Sequence, residues 1–255
     1  MMSKSKRFVS FLCALVVLIS SYAGYVLPFQ VNAAESTSPV LNLEEDVKWF
    51  GRTVKNADGS RSFSWSNSGF RFSFYGTEAV ATMKAKLSTA GTATQTAYIK
   101  IYVDDVLVND VAVPETETQM TLESGLEEGL HTIKVIKRTN GYYSYVTVSK
   151  IQLNAGAEIR TTQKYFERKL LFVGDDLSIG YGAKITNAMV SAGTVPTAYS
   201  AETEDSTIGY TALAADYFGA ENMTVALIGG SGRGIGINGA GGTSHKASDY
   251  FEYLD

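Results

Sequence analysis

The sequence predicts an all-β sandwich of the jelly-roll type, followed by an incomplete α/β domain built on a parallel sheet. Three observations predict it. Short runs of period-two hydrophobicity fill Val47 to Leu153, strands alternate with helices after Asn154, and an apolar N-terminal run belongs to neither part.

The runs "RSFSWS", "GFRFSFYG", "EAVATMKAKLS", "AYIKIYV", "VLVNDVAV", "HTIKVIKR" and "YVTVSKIQL" are separated by Gly, Asp, Asn or Pro. Side chains of a strand alternate between its two faces, so Phe70, Phe72 and Phe74 share one face and Arg71, Ser73 and Tyr75 the other. Ile99, Ile101 and Val103 stand in the same relation to Tyr98, Lys100 and Tyr102, and Asp104-Asp105 has the composition of a hairpin turn. Strands spaced this evenly, with no helical period between them, predict antiparallel pairing in a sandwich spanning residues 47–154.

The segment "NAGAEIRTTQKYFERK" predicts a polar connector over 155–169. After it come a strand (Leu170 to Val173), a helix, a second helix (Ile208 to Phe218) and a strand (Met223 to Ile228), the alternation of a parallel α/β sheet. Residues 170–255 supply two clear strands, whereas a parallel sheet is covered on both faces and usually has four or more strands. The expectation is an open sheet with exposed edges and apolar faces.

Lys4, Lys6 and Arg7 precede an apolar run from Phe8 to Leu27, and no acidic residue occurs before Glu35. This is the pattern of a secretory signal over residues 1–33, with cleavage before Ala34 and a linker over 34–46; an uncleaved N-terminal membrane anchor is the alternative. Cys13, the one cysteine, lies in that run, so the exported chain would have no disulfide and no thiolate ligand or nucleophile. Three of the 22 basic residues and none of the 26 acidic ones lie in the signal, so the formal charge moves from −4 to −7 on cleavage. Such a surface argues against nucleic acid or an anionic membrane as a stable partner.

The stretch "LLFVGDDLSIGYGA", Leu170 to Ala183, ends a strand with a glycine and a polar pair, which places side chains at the carboxyl end of a parallel sheet, where α/β proteins bind ligands. Gly174-Asp175-Asp176-Leu177-Ser178 resembles the first motif of the SGNH (GDSL-like) hydrolases, differing at the position of the nucleophilic serine. "VKWFGRTVKNADGSRSFSWSNSGFRFSFYGT", "GDDLSIGYG" and "SGRGIGING" occur in the order and at the spacing found in carbohydrate esterase family 2. That resemblance covers nearly all of Val47 to Asp255. It implies a jelly roll followed by an SGNH hydrolase domain, and an acetylxylan-esterase-like activity that removes acetyl groups from plant polysaccharide such as xylan.

The same resemblance assigns Asp176 to the nucleophile position and Gly232 to an oxyanion-hole glycine. A carboxylate at that position attacks an ester weakly, yields an anhydride and burdens the oxyanion site with like charge. Neighbouring Ser178 matches a frequent Ser/Thr position of the motif and is not promoted to nucleophile. The family's later Gly-x-Asn-Asp motif and late histidine are not found up to Asp255, so a C-terminally truncated and catalytically impaired chain is expected. A non-catalytic polysaccharide-binding protein on the same scaffold is the alternative.

A serine hydrolase needs a base within reach of its nucleophile, and His131 and His245 are the two histidines. His131 falls in a sandwich strand and reads as a surface or edge residue; His245 lacks the Asp-x-x-His context and reads as a solvated loop residue. "GIGING", Gly234 to Gly239, has the letters of a dinucleotide loop without the helix it should open. Asp175 beside Asp176 lacks the spacing of a metal site, so no cofactor and no metal are expected. Trp49 and Trp65 could stack on sugar rings, but a core role is favoured for both.

Overall fold

The computed structural model describes residues 37–87, 95–162, 168–197 and 199–226, and the backbone of Ile235–Gly236 and His245–Lys246. The N-terminal segment expected to be a secretory signal, Gly232 and most of "GIGING" lie outside the described residues.

Two antiparallel sheets face each other. The first has the order β1 (Lys48–Phe50), β4 (Gly69–Gly76), β9 (Gly129–Lys137), β6 (Tyr98–Val103), β7 (Val106–Ala112), and the second β2 (Thr53–Lys55), β3 (Arg61–Phe63), β10 (Ser144–Leu153), β5 (Ala79–Leu87), β8 (Thr118–Glu123). The connector contributes β11 (Glu158–Arg160), which pairs with β4 beyond the end of β1. The chain thus builds the mostly β, jelly-roll sandwich that its alternation predicts.

The core fills from the predicted faces. Phe70, Phe72 and Phe74 from one sheet meet Met83, Val146, Val148 and Ile151 from the other, all fully enclosed. The Phe63 and Phe70 rings meet edge-on at 6.2 Å, and Trp49 lies 5.1 Å from Phe70 with its indole N–H donated to Leu43 O at 2.6 Å. Trp49 therefore has the expected core role, its polar end satisfied as burial requires. At Asp104 and Asp105 φ is +49° and +65°, the left-handed pair of a two-residue turn whose twist matches the strands it joins.

The outer face of β4, β9 and β6 is also covered. Arg71, Ser73, Lys100 and Arg138 are all buried there, because the chain after the sandwich returns across this sheet. That segment holds β12 (Arg168–Gly174), a short helix α1 (Asn187–Ser191), a 3-10 turn (Ser206–Ile208), α2 (Tyr210–Tyr217) and β13 (Ala220–Ala226). β12 and β13 pair in parallel, Arg168 with Ala220 through Gly174 with Ala226, as the alternation predicts. The helix expected directly after β12 is not there. Residues 175–184 run as consecutive turns, because Gly180 and Gly182 take φ of +68° and +72°, which a right-handed helix cannot contain.

The phenylalanine ladder sets the stability of the sandwich. Replacing a fully buried Phe by Ala costs about 3–5 kcal/mol through lost transfer energy and a residual cavity. Phe72→Ala should therefore lower the unfolding free energy of the sandwich by that amount, measured by urea unfolding as a lower midpoint at unchanged slope, whereas exposed Val54→Ala should leave it nearly unchanged.

Candidate functional site

Gly174 ends β12, and the chain then turns sharply through Asp175, Asp176 and Leu177. A Cβ at Gly174 would lie 2.0 Å from Ser178 Oγ, so only glycine lets the hydroxyl tuck beneath the strand end. Ser178 is buried there, its hydroxyl 2.7 Å from Tyr210 OH and its carbonyl accepting from Thr211 Oγ1 at 3.2 Å. Ser178 thus ties the turn to α2. Asp176 is half-buried, and among the described residues its carboxylate accepts the Leu177 amide at 3.1 Å, beside Asp175 Oδ1 at 3.2 Å from the same N–H.

No histidine base meets this carboxylate among the described residues. His131 is held on β9, an interior strand and not an edge: Nδ1 lies 2.8 Å from Asp104 Oδ2 and Nε2 2.8 Å from Glu127 O. Burial alone would lower its pKa, but the hydrogen bonds to Asp104 and to the Glu127 carbonyl and the Asp104 charge together outweigh it and raise the value. His131 thus clamps the hairpin after β6. His245 lies in a two-residue parallel pairing of β14 (Ile235–Gly236) with β15 (His245–Lys246), so its backbone is part of a short strand and not of a loop.

The turn is fixed to the sandwich through residues 199–207. A Cβ at Gly180 would lie 2.1 Å from Asp205 O, and Asp205 N donates back to Gly180 O at 3.0 Å. Asp205 in turn takes Lys100 Nζ at 2.6 Å, with both side chains buried. Arg138 places Nε 2.6 Å from Asp110 Oδ1, donates to the carbonyls of Ala201 (2.7 Å) and Glu204, and lies 4.1 Å from the centre of the Tyr98 ring. Lys184, just after the glycine turn, reaches Asp110 Oδ2 at 2.5 Å. Burial pushes the Asp110 carboxyl up, but the Lys184 and Arg138 hydrogen bonds overcome it and hold the pKa below the usual value.

Beneath this latch lies a second polar cluster. Glu204 is fully enclosed, its Oε2 accepting from Asn140 Nδ2 at 2.7 Å and from Tyr199 OH. Lys137, also enclosed, donates to Thr139 O and Asn140 O at 2.7 Å each. Burial pushes Glu204 up to about 7, against the hydrogen bonds from Tyr199 and Asn140, and pulls Lys137 down to about 7, against the Glu204 charge. Tyr199 is raised by its own burial and by Glu204, so it stays protonated and donates. The two halves of this cluster, "KRTN" at 137–140 and "ETED" at 202–205, lie more than sixty residues apart, and only the charge at the end of an otherwise apolar strand hints at it.

The fold defines a jelly-roll sandwich joined to a parallel β-α-β unit with a glycine-acid turn at the strand end. Residues 49–162 match the family described as "Carbohydrate esterase 2 N-terminal". The match covers the sandwich, which is thus similar to the N-terminal domain of carbohydrate esterase family 2. Cellulase/esterase CelE of Acetivibrio thermocellus is 27% identical over 190 residues, covering 74% of this chain and 21% of CelE. A family two carbohydrate esterase from Clostridium thermocellum, solved in complex with cellohexaose, is 25% identical, with a TM-score of 0.63 over 76% of this chain and 55% of that one. One from Cellvibrio japonicus shares the fold at 16% identity, with a TM-score of 0.64 over 76% of this chain and 53% of that one. This chain spans about half the length of those solved relatives.

The buried carboxyl makes a signed prediction. Its folded pKa lies above the ordinary 4.5, so the folded state keeps a proton that the unfolded state releases, and stability falls as pH rises from about 4.5 to 7. Lys137 has the opposite sign and acts above pH 7, up to its ordinary 10.5. The melting temperature of Glu204→Gln minus that of the parent should therefore increase between pH 5 and pH 7.5. His131 titrates equally in both proteins and cancels from the difference.

Proposed function

We propose that this chain is an exported carbohydrate-esterase relative directed at polysaccharide, in which the position of the catalytic serine is held by Asp176 and ester hydrolysis is impaired. The observation that carries this reading is the Asp176 turn: a carboxylate after Gly174, bonded to its own loop, with no histidine beside it among the described residues. The alternation after Asn154 and the Gly-Asp-Asp-Leu-Ser turn support an SGNH hydrolase-like assignment of the parallel unit. Deacetylation of xylan-type substrate is what that assignment would predict for a competent site.

The chemistry of the turn opposes such a reaction. Attack by Asp176 on an acetyl ester would form a mixed anhydride and expel an alkoxide, which needs a proton donor that His131, engaged elsewhere, does not supply. The tetrahedral oxyanion would also develop beside a carboxylate. Two like charges about 4 Å apart near a protein surface repel by roughly 4 kcal/mol, enough to cost about three powers of ten in rate. Partnership with polysaccharide needs none of this chemistry. It is supported by the cellohexaose complex of the Clostridium thermocellum relative, and binding without catalysis is the second reading.

Acetate release from acetylated xylan and hydrolysis of 4-nitrophenyl acetate test the impairment. The full chain should not exceed the buffer rate, and Asp176→Ser alone should not restore turnover, because a serine without its base retains only a small residual rate. Acetate release by the parent that disappears in Asp176→Ala would overturn the reading.

A further inference from the structure

The outer face of the second sheet carries a groove of about 500 Å³, within the range of roughly 300–1,000 Å³ typical of ligand pockets. It lies on the sheet opposite the one that holds the Asp110 and Asp205 latch. The strand register builds it. Val54 pairs with Ser62, Ser62 lies beside Thr147, and Thr147 beside Lys84, so one row of outward side chains crosses β2, β3, β10 and β5. Tyr145, 37% exposed, stands two residues along β10 on the same face, and Trp65 lines the same groove just past β3.

The polar floor is ordered in advance. Asn56 Nδ2 donates to Ser60 Oγ and Ser62 Oγ at 2.9 Å each, and Ser62 Oγ lies 2.8 Å from Thr147 Oγ1. Ser60 Oγ donates to Asp58 Oδ1 at 2.6 Å, and these Ser60 hydrogen bonds keep the Asp58 carboxyl below its usual pKa. Hydroxyls and an amide, held in place and able both to donate and to accept, match a ligand whose own groups are hydroxyls. The Tyr145 and Trp65 rings supply apolar surface with a polar edge, which suits the C–H faces of a sugar ring. Arg52 and Lys84 against Asp58 leave no strong charge excess, which favours a neutral ligand over a phosphate or a polyanion. The row runs across four strands and not into the core, which suits an extended chain.

We propose that this groove is a glycan-binding subsite, separate from the Asp176 turn, which holds a short stretch of neutral polysaccharide with a pyranose ring against Tyr145 and Trp65. The proposal rests on the polysaccharide-directed reading above and gives it a second address on the molecule. Lys84, exposed and without a hydrogen bond or ion pair among the described residues, supplies a donor at the groove wall.

The chain's two tryptophans make the test direct, since Trp49 is packed against the core and Trp65 lines the groove. Cellohexaose and xylohexaose are titrated into the full chain, following tryptophan emission and calorimetric heat. The expected result is a saturable emission change that is lost in Trp65→Phe, and an affinity for at least one hexasaccharide that falls about tenfold or more in Tyr145→Ala and much less in Tyr145→Phe. Lys84→Ala, at an exposed position with no fold to disturb, should weaken binding severalfold. Calorimetric binding that is unchanged in both Tyr145→Ala and Lys84→Ala would overturn the groove while leaving the polysaccharide reading intact. Absence of heat with either sugar in the parent chain would remove the groove and that reading together.

Discussion

The Arg138 guanidinium is the group on which the arrangement of this molecule turns. It is 1% exposed, and a charge taken so far out of water is tolerated only when its donors are matched. Asp110 supplies the counter-charge from the neighbouring hairpin, the carbonyls of Ala201 and Glu204 supply acceptors from beyond the sandwich, and Tyr98 covers the flat face. A sandwich alone would leave two of those acceptors missing. The outer face of the first sheet is thus built to be covered, and residues 199–207 are what cover it.

From that latch the geometry of the candidate site follows outward. Arg138 and Lys100 fix 201–205, Asp205 fits against Gly180 where no other residue has room, and Lys184 returns to the same Asp110 carboxylate. The Asp176 turn is therefore positioned by the sandwich as much as by its own strand. This contrasts with the packing of the parallel unit itself. Leu177, Val190, Leu213, Tyr217 and Phe218 are exposed, whereas the sandwich encloses its whole phenylalanine ladder. A parallel sheet ordinarily has both faces covered; here a small cluster of Tyr143, Ile179 and Ala226, with Tyr199 stacked on Tyr143 at 4.4 Å, joins the polar latch in holding the unit to the sandwich.

What could be read in advance has a physical boundary. Phe70, Phe72 and Phe74 were legible because a strand with one buried face writes its period into adjacent residues, and Asp104-Asp105 because a tight hairpin needs residues that accept positive φ. The strand "TQMTLE" at Thr118–Glu123 was not, since an edge strand with few apolar positions lacks the signal. The turns at 175–184 look like a helix start until Gly180 and Gly182 are given their positive φ, and the reason Gly180 must be glycine is Asp205. Asp176 was found by motif alone. Lys137, Arg138, Tyr199 and Glu204 could not be paired from local sequence, because each is explained by a partner brought near only by the fold.

The central claim is that the polar latch is required to order the segment after the sandwich, beyond what its small apolar cluster supplies. Hydrogen–deuterium exchange on the full chain, parent against Arg138→Ala, tests it most directly, because exchange reports opening segment by segment. The account predicts faster uptake over 199–207 and over the 175–184 turns, with β5 and β10 of the far sheet unchanged. Unchanged uptake over 199–207 would contradict it and would show that the segment holds its place without the Arg138 contacts.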